Sequence, residues 1–178
     1  MNRWRPGEKR SDAASMVRVD QAGEYGATRI YAGQLAVLRP DCPEAKLISR
    51  MAAQEERHLE RFDRLVAERR VRPTALQPLW NVAGFALGAA TALMSEKAAL
   101  ACTDAVETEI DRHYGRQLDE LGEDDPELSA DIAEFRAEEL EHRDSAREAG
   151  AAGAFGYPLL TAAIRAGCRV AIGLSKRI

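Results

Sequence analysis

Aromatic residues make up only 6% of the 178-residue sequence. That argues against a sheet protein, because strands favour β-branched and aromatic side chains, and the abundant alanine suits closely packed helices. The three cysteines, Cys42, Cys102 and Cys168, are widely spaced and form no metal motif. They read as buried, reduced thiols in a reducing compartment. No apolar run reaches the roughly 20 residues that a membrane-spanning helix needs. Met1 to Arg10 is basic and polar, without the apolar core of a secretory signal, and no transit peptide is evident. A net charge of −4 argues against a general nucleic-acid binder. The chain is long enough for a full hydrophobic core. The expected organisation is a flexible basic lead-in over 1–14 and one domain over 15–178.

What the sequence does contain is a repeated pattern of acid and imidazole. Glu139-Leu140-Glu141-His142 has a counterpart in Glu55-Glu56-Arg57-His58. Glu and His three apart lie on one face of a helix, one turn from each other, where both can reach one metal ion. A further acid precedes each motif: Glu24 lies 31 residues before Glu55, and Glu107 lies 32 before Glu139. The halves match in detail. Arg29, Tyr31, Gln34 and Leu35 follow Glu24 at the spacings at which Arg112, Tyr114, Gln117 and Leu118 follow Glu107. Ile48 and Met51 precede Glu55 as Ile132 and Phe135 precede Glu139. The reading is a duplicated helical hairpin, each copy supplying one Glu and one Glu-x-x-His. Glu24, Glu55, His58, Glu107, Glu139 and His142 then form the ligand set of a di-iron or di-manganese carboxylate bundle.

The helices follow from local signals. The first is expected from Ser15 to Leu38, stopped by Arg39-Pro40. Gly23, Gly26 and Gly33 weaken it, and could let a helix or a ligand approach closely. The second starts near Pro43 and continues to about Arg70. Leu79 to Met94 carries one strongly polar side chain, Asn81, and fits either a fully buried helix or one that dips into a membrane interface. Ser95 caps a helix that runs to Leu121, and Asp125-Pro126 opens the next, which ends at Gly150. Residues 150–156 read as a loop. A last helix begins near Pro158, and Arg165, Arg169, Lys176 and Arg177 lie among its apolar residues. It suits an anionic lipid surface, or an ordinary amphipathic packing face.

Carboxylates with imidazole favour iron or manganese over a thiolate metal. Four carboxylates also balance two divalent cations; without metal, four inward acids would repel one another and rise in pKa. Against this stands the ordinary fate of acids in a chain that is 30% charged: solvation, or pairing with neighbours such as Arg57 and Arg143. His113, Tyr25, Tyr31 and Tyr114 read either as bundle residues or as relay groups near the metals. Asp20 and Asp104, about one turn before Glu24 and Glu107, could hold a ligand imidazole by its free N–H, or be solvated.

The runs DQAGEYGATRIYAGQLAVL, QEERHL, VRPTALQPLWNVAGFALGAATAL, ACTDAVE, EELEHRD and AGCRVAIGLSKRI resemble the demethoxyubiquinone hydroxylase family from Met16 to Ile178. The resemblance implies an all-α, ferritin-like di-iron bundle of two hairpins, with two further membrane-facing helices. It implies a monooxygenase that hydroxylates the ring of a demethoxyubiquinol with O2 and electrons from NADH. It also implies two Fe ions, bridged by Glu55 and Glu139 with Glu24 and Glu107 terminal, and His113 and Tyr114 as the relay pair. Asp104 has no counterpart expected across the family. The implied partners are a polyprenylated quinol and a lipid surface; other ubiquinone-biosynthesis proteins and a second copy of the chain are further candidates. The expected location is the cytoplasmic face of a bacterial inner membrane, with the matrix side of the mitochondrial inner membrane as the alternative. The rival functions are a ferritin-like iron store, another two-metal redox enzyme, and a metal-free membrane scaffold.

Overall fold

A computed structural model describes residues 12–177; of the expected lead-in over 1–14, residues 1–11 lie outside them, and Ala13 and Ala14 belong to the first helix. The described residues form six α-helices and no strand. Helix α1 (Ala13–Leu35) begins two residues earlier than the sequence suggests, because the Asp12 side chain accepts from Ser15 N and caps it. Helix α2 (Pro43–Glu68) carries proline in its first turn and is capped by the Cys42 thiol, which accepts from Ala45 N. Helix α3 spans Gln77–Met94. Helix α4 (Glu96–Leu121) starts at the Ser95 cap and stops at Gly122, whose φ of 51° favours glycine. Helix α5 (Pro126–Glu148) is capped by Asp125. A 3₁₀ turn (Ala151–Gly153) within the expected loop then leads to α6 (Tyr157–Ser175).

α1 packs on α2, and α4 on α5, as two antiparallel hairpins. Ion pairs join them along α2 and α5, from Arg57 to Glu138, Arg61 to Asp131 and Arg69 to Asp125. Two apolar clusters fill the bundle at opposite ends. One holds Met16, Val17, Phe62, Leu65, Leu121, Leu128 and Ile132; the other holds Leu38, Ile48, Met51, Leu100 and Ala146. On all four helices the Glu and His residues of the repeat fall between these clusters, so the two cores fix the height of the polar layer.

α3 lies against α1 and also meets α4, while α6 lies against α4. α3 is not buried all round. Gly84, Gly88, Thr91 and Ala92 form its buried face, whereas Leu79, Val82, Leu93 and Met94 are exposed. No described helix is long and apolar enough to cross a membrane. The sequence leaves the basic residues of α6 open between an anionic lipid surface and an amphipathic packing face. Two of them are tied inward: Arg165 Nε and Arg169 Nη1 each donate to Oε1 of the buried Glu109, 2.9 Å away. The three cysteines are free, and Cys102 and Cys168 are pushed up to about 12 by burial.

Candidate metal centre

The six repeat residues converge in the middle of the bundle, all of them buried. Each residue of two overlapping groups offers one ligand atom, and within a group these atoms lie within 4.8 Å of one another. One group is Glu24, Glu55, His58 and Glu139; the other is Glu55, Glu107, Glu139 and His142. Glu55 and Glu139 belong to both, as two bridging carboxylates would. His58 Nδ1 lies 3.1 Å from Glu139 Oε1 and 3.5 Å from Glu24 Oε2. His142 Nδ1 lies 3.1 Å from Glu55 Oε1 and 3.2 Å from Glu139 Oε2.

Burial and the Glu139 charge push Glu55 and Glu107 well above the usual carboxylate range, and burial raises Glu139 too. Burial opposes ionisation of Glu24 as well, but hydrogen bonding and charge from His58 prevail and hold it low. His58 is raised to about 11, because its bonds to Glu139 and Glu24 outweigh burial. Burial lowers His142. Without cations, then, burial and mutual repulsion favour the protonated forms of Glu55, Glu107 and Glu139, and the neighbouring carboxylates favour that of His58.

Several carboxylate oxygens in the layer still lack a hydrogen bond: Glu24 Oε2, both oxygens of Glu55, and Glu107 Oε2. Glu55 Oε1 sits near His142 Nδ1 but makes no hydrogen bond to it. Buried polar atoms are almost always satisfied. Hard oxygen donors and two imidazole nitrogens, directed at two adjacent points, fit a pair of divalent cations.

The groups around this layer obey the same pseudo-two-fold relation. Tyr31 Oη donates to Glu107 Oε1 at 2.9 Å, and Tyr114 Oη donates to Glu24 Oε1, so each phenol serves the other hairpin's acid. Burial and the adjacent carboxylates keep both phenols protonated. The far nitrogens of the imidazoles are held across the bundle too. His58 Nε2 donates to Glu138 Oε2 at 2.7 Å, and His142 Nε2 donates to Gln54 Oε1 at 2.9 Å.

Asp20 and Asp104 do not hold the ligand imidazoles, and neither is solvated. Asp20 Oδ1 accepts from His113 Nε2 and Gln117 Nε2, both at 2.9 Å. Asp104 accepts from Arg147, Thr108 and Tyr157. The far side of each imidazole faces the opposite hairpin, where Gln54 or Glu138 is within reach; sequence reasoning missed both. Their matched place, four residues before each histidine, was the available signal. Arg57 pairs with Glu138, and Arg143 pairs with Asp111 and Asp144. Tyr25 is half-buried, with its carbonyl accepting from the Thr28 hydroxyl.

Beside this layer, an apolar cavity of about 550 Å³ lies between α1, α3, α4 and α6. Gly26, Ile30, Trp80, Val106, Ile164 and Cys168 are among the residues that line it. Ala27, Ile30 and Val106 of its wall also border a small gap beside Tyr31 and Glu107 that has no room for a water.

Residues 11–175 match the family described as ubiquinone biosynthesis protein COQ7. The chain is 57% identical over 162 residues to the 3-demethoxyubiquinol 3-hydroxylase of Rhodospirillum rubrum, covering 91% of this chain and 76% of that protein. It is 52% identical over 167 residues to the human mitochondrial NADPH-dependent 3-demethoxyubiquinone 3-hydroxylase, covering 92% of this chain and 76% of the relative. It is 43% identical over 179 residues to the mitochondrial 5-demethoxyubiquinone hydroxylase of Saccharomyces cerevisiae, covering 92% and 77%.

Proposed function

The chain belongs to the COQ7 family of ubiquinone biosynthesis proteins, and from that premise we propose that it is a 3-demethoxyubiquinol 3-hydroxylase working with a pair of iron ions. Glu24, Glu55, His58, Glu107, Glu139 and His142 would hold the ions, and Glu55 and Glu139 belong to both ligand groups. The observation that carries this reading is the pair of buried ligand groups built around those two shared carboxylates. Bound there, the irons supply the O2-dependent redox chemistry of ring hydroxylation.

The remaining work falls to the chain's own residues. The apolar cavity receives the quinol and the start of its polyprenyl tail, and its lining excludes water. The cavity shares Ala27, Ile30 and Val106 with the gap beside Glu107, so the ring approaches the layer on that side once these side chains move to admit it. The Tyr31 and Tyr114 hydroxyls hold the terminal carboxylates in place. His113 and Tyr114 form the relay; the Tyr114 bond to Glu24 and the contact of His113 with Asp20 support it. Electrons come from a reduced nicotinamide. NADH is expected from the family resemblance, while the human relative is named for NADPH, so both belong in the assay. The exposed apolar sides of α3 and α6 rest on a lipid surface, the cytoplasmic face of a bacterial inner membrane or the matrix side of a mitochondrial one.

The test joins metal analysis of the purified protein to hydroxylation of a short-chain demethoxyquinol with NADH or NADPH and O2. Iron uptake and ring hydroxylation are expected, and both should be lost in Glu139→Ala and His142→Ala. Iron uptake without hydroxylation would indicate an iron store, and turnover in either variant would overturn the ligand assignment.

A further inference from the structure

The two metal positions have the same ligand types, two shared carboxylates with one further Glu and one His each. Each further Glu accepts from one phenol. The groups behind the histidines differ. Gln54 and Glu138 stand at matched places in the repeat, four residues before His58 and His142, and each reaches the other hairpin's imidazole. His58 Nε2 meets a carboxylate oxygen at 2.7 Å, whereas His142 Nε2 meets an amide oxygen at 2.9 Å. A carboxylate on the far nitrogen makes an imidazole a more basic metal ligand, and such partners govern metal affinity. A neutral amide orients the ring and adds much less basicity.

Arg57 shares the Glu138 carboxylate at 3.0 Å, but its side chain is 55% exposed while His58 is fully buried. Solvent therefore screens the arginine more than the imidazole bond. The Asp20–His113 pair also departs from the two-fold match, with Thr103 and Ile30 at the equivalent places, but its hydrogen bonds go to each other and to Gln117 rather than to a ligand.

We propose that Glu138 and Gln54 are positioning residues that make the two metal positions unequal. The position of Glu24 and His58 binds the tighter ion. The position of Glu107 and His142 binds the weaker one, on the side where Ala27, Ile30 and Val106 border both the apolar cavity and the gap beside Glu107. This rests on the six-ligand reading above. It places the less firmly held ion nearest the substrate and keeps the other as an anchor.

Anaerobic titration of the full-length protein with Fe(II) alone, followed by calorimetry and by metal stoichiometry, tests it. Two resolved steps are expected. Glu138→Gln should weaken the tighter step by roughly 10–100-fold, bringing the two together. Gln54→Glu should tighten the weaker step, a gain that mere structural damage does not produce. The double swap should restore two separate steps. Circular dichroism of each metal-free variant confirms folding, and a misfolded variant leaves the native titration and the other variant to decide. Two ions bound with equal affinity by the native protein would overturn the inference and leave the proposed function standing. So would Gln54→Glu failing to tighten either step. No iron uptake at all would overturn both.

Discussion

Among single side chains, the buried carboxylates govern how the protein responds to pH and to metal. In the metal-free chain Glu55 and Glu107 titrate well above the usual range, through burial and through Glu139. A carboxyl raised by folding binds its proton more readily in the native state, so native stability falls as pH rises above about 4.5. His58, raised to about 11 by Glu139 and Glu24 against the opposing effect of burial, acts in the same direction above its unfolded value near 6.5. His142, lowered first by burial, opposes them below that value and is outnumbered. The contribution of Glu24, held low by His58 against burial, is already complete at pH 5. Cations displace these protons and remove the repulsion. Chelated protein should therefore melt at progressively lower temperature from pH 5 to pH 8, and the gain from added Fe(II) or Mn(II) should widen over that range. Scanning calorimetry with and without chelator measures both, and a gap independent of pH would count against ligands that bind protons in competition with metal. The convergence of the six side chains was legible in the sequence, because a Glu-x-x-His face and a doubled spacing are properties of one helix at a time. Gln54 and Glu138 were not, because which residue stands behind an imidazole depends on the relative height of two helices.

The decisive contact between elements is that of α3 with α1, where glycine lets two backbones meet. A Cβ on Gly88 would lie 1.9 Å from the Ile30 carbonyl oxygen, and one on Gly33 would lie 2.1 Å from that of Phe85. Backbone cannot yield as a side-chain tip does, so α3 must move away. Gly88→Ala should cost about 1–3 kcal/mol, as overpacking does, although alanine is the better helix former. For a chain of this length that lowers the melting temperature by several degrees. Gly23→Ala makes the control, since nothing lies within 4 Å of a Cβ there. Thermal melts of the metal-free proteins compare the two, and equal shifts would deny the close approach any special role. The sequence offered helix or ligand as the reason for glycines in α1; Gly33 receives α3, while Gly23 and Gly26 line the cavity. The starts of α2, α4 and α5 were readable from Pro43, Ser95 and Asp125-Pro126, whereas the Asp12 cap of α1 was not. The Cys42 cap was not, since a thiol accepts from a backbone N–H only weakly.

Across the whole molecule, the cavity lies between α3 and α6, the two helices outside the ligand hairpins. Both turn apolar side chains to solvent. On the α6 side Phe155, Leu159 and Val170 are 94%, 78% and 62% exposed, and on α3 Val82 and Leu93 are 67% and 74% exposed. Isolated exposed apolar residues are ordinary, but a set on two neighbouring helices that flank an apolar cavity is a candidate membrane contact. Composition alone left burial and interface equally open for α3; its buried glycine face and exposed leucines emerge only once α1 is in place. The inward turn of Arg165 and Arg169 to Glu109 shifts the weight of binding from basic charge to buried apolar area. Binding to vesicles should therefore persist at high salt. Phe155→Asp with Leu159→Asp should reduce sedimentation with phosphatidylglycerol/phosphatidylcholine vesicles several-fold and leave metal content unchanged. The same pair should slow hydroxylation of a long-tailed quinol presented in vesicles while sparing a water-soluble short-chain one, because only the former must be drawn from lipid. Equal slowing of both substrates would mean that these side chains support the fold rather than the approach to the bilayer. Release of the native protein from vesicles by salt alone would return the role to the basic residues.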